Sequence, residues 1–175
     1  MKKIIKITLF LLCLCFLSGL ILSFVWEKSA GKIAANENRA KMAAVLAIFP
    51  GEDITELSGG GEQYWRAGAE GYAFESSIMG FQDEIKAVIG VDKNMEEIKG
   101  IIILKCLETP GLGGEVTKDK FLKQFLVKNS PFTVVKTAPR EKYDIQAVTG
   151  ATISSRAVVK MINERLARMR AVIKE

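Results

Sequence analysis

Residues 4–26 are almost continuously apolar, and Lys6 is the one charge among them. A run of about 20 such residues crosses a bilayer as a helix. The pattern then changes. Residues 33–48 are rich in alanine and read as a helix that Pro50 ends. Residues 51–61, GEDITELSGGG, are polar and glycine-rich and read as a loop. Shorter apolar stretches at 63–67, 71–76, 84–91, 99–108 and 131–136 read as strands, with glycines between or within them. The turn from Asn94 to Glu97 makes the strands on either side of it neighbours. Thr117 is placed to cap a helix over 118–128, with Phe121, Leu122, Phe125 and Leu126 on one face. From Ser154 onward, Val158, Met161, Ile162, Leu166, Met169 and Ile173 recur at helical spacing, a stripe suited to packing on a sheet. This order predicts an α+β fold: a mixed β-sheet domain packed by helices, behind one N-terminal transmembrane helix. The expected divisions are a cytoplasmic start and anchor (1–26), a helical connector (27–50) and an extracytoplasmic domain (51–175).

Charge sets the orientation. Lys2, Lys3 and Lys6 lie at the start of the apolar run and no acid precedes it. Basic residues stay on the cytoplasmic side, so the body is expected outside the inner membrane. The apolar run is longer than a signal-peptide core, no A-x-A site follows it directly, and Leu20 stands where a lipoprotein box would have cysteine. A retained single-pass anchor is therefore expected; cleavage would instead give a mature N-terminus near Ala30. Without its three anchor lysines the chain carries 22 basic and 20 acidic residues, a balance that gives no reason to expect nucleic acid. There is no histidine and no cysteine pair at metal-ligand spacing, so no metal site is expected. The glycines of 51–61 are not followed by a Gly-Lys-Ser/Thr, so they make no nucleotide loop.

Two segments carry candidate chemistry. Residues 149–155 read TGATISS, in which Thr149, Thr152, Ser154 and Ser155 bring four hydroxyls to the start of a helix. Gly150 permits a close approach or a left-handed backbone. Free N–H groups at a helix start attract anions, and hydroxyls add hydrogen bonds to phosphate oxygens. A simple helix cap needs only one hydroxyl, so capping and phosphate binding both stand as readings. Residues 108–114 read ETPGLGG. Here Pro110 and Gly111 suit a turn, Gly113 and Gly114 leave backbone accessible, and Leu112 either lies against a flat ring or tucks into the core. Glu108 and Thr109 can hydrogen-bond a ligand or a neighbouring loop.

Glu108-Thr109-Pro110-Gly111-Leu112-Gly113 and Thr149-Gly150-Ala151-Thr152, in this order behind a single anchor, resemble the two hallmark segments of the FMN-binding domain family. GYAFES and GFQDEIKAVIGVD resemble the family's preceding strands, and the likeness covers nearly the whole chain. The family includes the G subunit of the Rnf electron-transport complex, whose length this chain resembles, and the longer C subunit of the sodium-translocating NADH:quinone reductase. The resemblance implies FMN bound through a phosphoester to Thr152, attached by a flavin transferase with FAD as donor. It places Glu108 to Gly113 near the flavin and Thr149, Gly150 and Ala151 in the attachment motif, while Ser154 and Ser155 are candidates for its phosphate by their place at the helix start. Gln146 stands where family members often have an aspartate, a position tied to transferase recognition. The implied role is an electron relay within a complex that couples ferredoxin-to-NAD electron transfer to Na⁺ or H⁺ movement. The partners are the other subunits of that complex, and the chain is not an enzyme by itself. The alternatives are the quinone-reductase C subunit and a membrane-anchored assembly domain that has lost its flavin.

Overall fold

The computed structural model describes residues 1–126 and 129–174, and the chain divides into two compact units, Met1–Ala40 and Lys41–Glu175. A single helix, α1 (Lys2–Ile48), takes in both the apolar run and the alanine-rich stretch. The polar residues between them contain no proline, and one glycine, Gly31, is not enough to interrupt a helix. This helix is long and apolar enough to cross a membrane, and its apolar window is wholly exposed.

The second unit is built on a five-stranded antiparallel meander: β1 (Ile54–Gly59), β2 (Glu62–Ala67), β3 (Gly71–Met79), β4 (Glu84–Asp92) and β5 (Ile98–Lys105), hydrogen-bonded in that order. β1 falls in the segment 51–61 that reads as loop. It pairs with β2 from Ile54↔Ala67 to Gly59↔Glu62, and Gly60 and Gly61 turn the chain at φ 56° and 77°. A two-residue hairpin turn with both centres at positive φ selects Gly-Gly. The strand escapes a hydrophobicity reading because none of its residues is fully buried. β4 and β5 are neighbours, as the Asn94–Glu97 turn implies. Asp92 closes that turn, accepting from the N–H groups of Glu96 and Glu97 at 2.7 and 2.8 Å.

Strand alternation sends side chains to two cores. On one face the end of α1 buries Ala44, Val45 and Phe49 against Trp65, Ala67, Ala73 and Val88. Gly90 and Gly100 sit opposite each other in the ladder, and a Cβ on either would run into Ile48. Their smallness lets the helix press onto the strand backbone. On the other face α3 (Thr152–Lys174) buries the expected stripe, Val158, Met161, Ile162, Leu166 and Met169, against Phe74, Ile85, Ile89 and Ile98. Each such side chain contributes about 1.5–3 kcal/mol by leaving water.

The helix expected over 118–128 is a single turn, α2 (Asp119–Leu122), between 3-10 turns at Gly113–Thr117 and Lys123–Phe125, and positions 127–128 lie outside the described residues. Thr117 does not cap it, because its hydroxyl donates to the Gly114 carbonyl at 2.9 Å. The apolar face is real: Phe121, Phe125 and Phe132 meet edge to face at 5.5 and 5.2 Å. The last strands, β6 (Thr133–Val135) and β7 (Asp144–Gln146), form a short parallel pair. β7 is too short to stand out in the sequence and depends on neighbours. Gln124 accepts from the Gln146 N–H at 2.7 Å and donates to its carbonyl at 3.2 Å. Asn163 of α3 does the same for Phe132, at 2.8 and 2.9 Å.

Candidate functional site

Glu108 ends the run after β5 and is 6% exposed. Its carboxylate is fully used inside the protein. One oxygen accepts from the N–H groups of Phe81 and Gln82 at 2.8 and 2.9 Å, and the other accepts from the Ser154 hydroxyl at 2.7 Å. Burial works against the charge, yet the hydrogen bonds from Gln82, Ser154 and Phe81 outweigh it and hold the carboxyl below its ordinary range. Three chain segments distant in sequence are thus tied by one side chain: the β3–β4 hairpin, the 108–114 loop and the start of α3. Two glycines make room for it. A Cβ at Gly80 would strike Glu108, and one at Gly113 would crowd both Glu108 and Ser154, whose hydroxyl would lie 2.9 Å away. Thr109 adds a further strap by donating to the Gln82 side chain at 2.9 Å.

The second segment folds against the first. Gly150 has φ 79°, and a Cβ there would lie 2.9 Å from Leu112 Cδ2, so Leu112 covers Gly150. Leu112 is 46% exposed and therefore is not tucked into the core. Gly111, at φ 76°, turns the chain just before it. The four hydroxyls divide into two kinds. Ser154 is committed to Glu108. Ser155 accepts from the Val148 N–H at 3.0 Å and donates to the Ala151 carbonyl at 2.9 Å. Thr149, exposed, and Thr152, half-buried, have no hydroxyl partner among the described residues.

The start of α3 is equally open. Ala151, buried, has no hydroxyl with which to cap the helix, and its N–H goes to the Val148 carbonyl at 3.0 Å. The α-helical ladder begins with the Ser155 N–H on the Ala151 carbonyl at 3.0 Å. The N–H groups of Thr152, Ile153 and Ser154 precede that ladder and find no acceptor among the described residues. Two free hydroxyls beside three free N–H groups make a setting suited to an oxygen-rich anion. Next to it lies a cleft of about 530 Å³ bordered by Gly111, Thr149, Phe121, Lys118, Lys120 and Gln146.

Every residue singled out in 108–113 and 149–155 lies in this one neighbourhood, in two layers. Glu108, Gly113, Ser154 and Ser155 are buried and hold the loops, whereas Thr109, Gly111, Leu112, Thr149 and Gly150 are exposed. The hairpin residues Phe81 and Gln82 also meet Glu108; they stand in GFQDEIKAVIGVD, a segment that reads as strand and not as part of the site.

The FMN-binding domain model matches residues 80–167, a span that contains both loops and most of α3. The chain is 31% identical over 169 residues to the G subunit of the proton-translocating ferredoxin:NAD(+) oxidoreductase complex of Clostridium ljungdahlii, covering 93% of this chain and 90% of that one. It is 30% identical over 140 residues to the G subunit of the Na(+)-translocating ferredoxin:NAD(+) oxidoreductase complex of Acetobacterium woodii, covering 78% of this chain and 61% of that one. Its fold matches the crystal structure of the C subunit of the Na(+)-translocating NADH-quinone reductase of Parabacteroides distasonis with a TM-score of 0.53, at 24% identity over 62% of each chain.

Proposed function

Because this chain belongs to the FMN-binding domain family, we propose that it is the electron-transfer subunit of an Rnf-type ion-translocating redox complex, with FMN esterified to Thr152. One observation carries the reading: the two loops meet through Ser154–Glu108 and Leu112–Gly150, and the Thr152 hydroxyl is left unengaged beside the unused N–H groups of α3. The residues fit a flavin phosphate, since both free hydroxyls and the helix start face the same requirement. When bound, FMN supplies the redox chemistry. Thr152 Oγ1 would be the tether: in maturation it would take the whole FMN unit (riboflavin 5′-phosphoryl) from FAD, the P–O–P bond would break, and the hydroxyl proton would leave with AMP. The N–H groups of Thr152, Ile153 and Ser154 offset the phosphate's remaining charge. Leu112 offers an apolar surface to a ring, and the cleft beside Thr149 offers room. Glu108 is a positioning residue, because its oxygens are already occupied.

A tethered flavin cannot dissociate, and the N-terminal anchor raises its concentration near membrane partners. The three anchor lysines support an extracytoplasmic Lys41–Glu175 unit, since basic residues stay on the cytoplasmic side. The curated relatives carry different coupling ions in their names, so no ion is assigned to this chain. The test is intact mass and peptide mapping of the full chain produced with a flavin transferase. The expected result is one added FMN phosphoryl group on the peptide covering 149–155, absent in Thr152→Ala. Flavin that persists in Thr152→Ala, or unmodified wild-type protein, overturns the proposal.

A further inference from the structure

β3 outruns its neighbour on one side. Its pairing with β2 ends at Trp65↔Ala73, although β2 reaches back to Glu62 and β3 continues to Met79. Phe74–Met79 pairs in register with β4 alone. The Gly80 N–H bonds the Asp83 carbonyl at 2.9 Å, so Gly80 directs its backbone groups at β4. An antiparallel ladder repeats every two residues, so Ile78, Ser76 and Phe74 do the same. Glu75 and Ser77 therefore direct their N–H and C=O groups to the side that β2 has left. The gap is held open from α3. Glu62 is pinned by Arg165 at 2.6 Å and Arg168 at 3.0 Å. A Cβ on Gly60 would lie 3.0 Å from Val172 Cγ2, so the β1–β2 turn rests on α3 and not beside β3. The result is a cleft of about 720 Å³ bordered by Glu75, Ser76 and Ser77 of β3, Lys41 of α1, and Arg165 and Arg168 of α3. The two helices cover opposite faces of the sheet, so they flank this edge from either side.

An unpaired strand edge is a template for another strand. We propose that the open edge of β3 takes an extended, acidic segment of another protein chain as an added strand, bonded to the outward N–H and C=O groups of Glu75 and Ser77. The proposal rests on the chain being one subunit of a larger complex and not on the flavin ester. Arg165 is 13 residues beyond Thr152 on α3, about 20 Å at a rise of about 1.5 Å per residue. Successive side chains of an added strand point to opposite sheet faces, one toward α1 and the next toward α3. The charges on the two sides differ. Toward α1, Lys41 pairs with Glu75 at 2.7 Å and Lys86 with Glu84 at 3.4 Å, one to one. Toward α3, Arg165, Arg168 and Lys160 share two acids, Glu62 and Glu164, which leaves one cation in excess. Arg168, 68% exposed, is the accessible member. A carboxylate on the α3 side of the added strand answers that excess. A second copy presenting the same edge would set the same excess against itself, and opposed like charges destabilise a strand pair.

The experiment follows hydrogen exchange at single-residue resolution in the full chain, both purified in detergent and within the complex isolated from native membranes. In the purified chain the Glu75 and Ser77 amides are expected to exchange about ten-fold or more faster than those of Phe74, Ser76 and Ile78, and in the complex to slow by a similar factor. A photo-crosslinking amino acid at Ser76 is expected to capture one segment of another subunit that contains Asp or Glu, identified by mass spectrometry. Arg168→Glu is expected to cut that capture several-fold. Glu75 and Ser77 amides already protected in the purified chain, or exchanging equally fast in the complex, overturn the proposal. So do capture of a second copy, of a segment without an acidic residue or of nothing, and undiminished capture in Arg168→Glu. Intact mass reads the FMN load of the same samples. Slowed exchange in a complex whose chain carries no FMN would break the flavin assignment and leave the added strand standing. A flavinylated chain with unchanged exchange would do the reverse.

Discussion

The two ends of α3 handle charge in opposite ways. Near its start, one buried carboxylate is saturated by hydrogen bonds from loop N–H groups and a hydroxyl, and no cation among the described residues pairs with it. Further along the helix, Glu62 meets Arg165 at 2.6 Å and Arg168 at 3.0 Å beside a cleft of about 720 Å³, larger than the one next to Thr149. Size alone would choose the Glu62 cleft. The Glu62 end pairs its charges with one another, with Lys41–Glu75 at 2.7 Å bordering the same cleft, but Arg165 Nε is buried there without a hydrogen-bond partner. The Glu108 end spends its buried groups on holding loops and leaves the neighbouring hydroxyls unspent. The two ends differ in what the fold leaves free on α3 and the loop before it: two hydroxyls and the first helix N–H groups at one, a single guanidinium Nε at the other.

The comparison breaks most visibly at Glu108. Glu108→Ala strands two N–H groups and a hydroxyl, and is expected to cost about 3 kcal/mol or more, since each buried unsatisfied group costs about 1–3 kcal/mol. It should also cut flavin load several-fold, because the 108–114 loop and α3 lose their common tie. Chemical denaturation and intact mass check the two effects. A variant with full stability and full FMN load would show that the clasp is incidental.

Acid sharpens the same point. The folded carboxyl of Glu108 is held below its ordinary value, so its contribution is fully present above about pH 4.3, the unfolded glutamate value. It is lost as pH falls through the lower, folded value. The stability gap between wild type and Glu108→Gln should therefore be flat above that pH and shrink below it. A gap that widens on acidification would mean that burial, not hydrogen bonding, controls the group.

Gly150→Ala is a smaller step. A left-handed backbone costs an alanine about 1–2 kcal/mol, and the new Cβ must displace Leu112. The effect on FMN incorporation should exceed the effect on stability, because Leu112 is exposed and Gly150 lies two residues before Thr152, the proposed point of attachment. Equal loss in both readouts would make this glycine merely structural.

How much of this was legible beforehand depends on the range of each interaction. The stripe of α3 and the β4–β5 hairpin rest on local periodicity and one turn, and both read correctly. β1 and β7 rest on partners, Gly60-Gly61 with β2 in one case and Gln124 in the other, and a residue-by-residue reading passes over them. The two loops were legible as motifs, but their division of labour was not. Nothing in TGATISS says that Ser154 faces Glu108, 46 residues away, while Thr152 faces no partner. Phe81 and Gln82 meet Glu108 through backbone N–H groups, which carry no side-chain signature, and Gln82 Oε1 accepts a further bond from Thr109.

The far end of α3 gives the smallest expected change. Arg168 is 68% exposed, and its pairing with Glu62 duplicates what Arg165, 12% exposed, already provides. Exposed ion pairs contribute about 0.2–1 kcal/mol, because water screens the attraction and two long side chains lose freedom. Arg168→Ala should fall in that range, shrink further in 1 M salt where the screening length is about 3 Å, and leave the FMN load unchanged. Glu62 keeps its lowered carboxyl chiefly through the Arg165 hydrogen bond, so removing Arg168 does not unpair it. Denaturation at low and high salt, read beside intact mass, tests this directly. A loss above about 2 kcal/mol, beyond what an exposed pair supplies, or any fall in flavin load, would mean that the two ends of α3 are coupled and that the larger cleft shares in the chemistry.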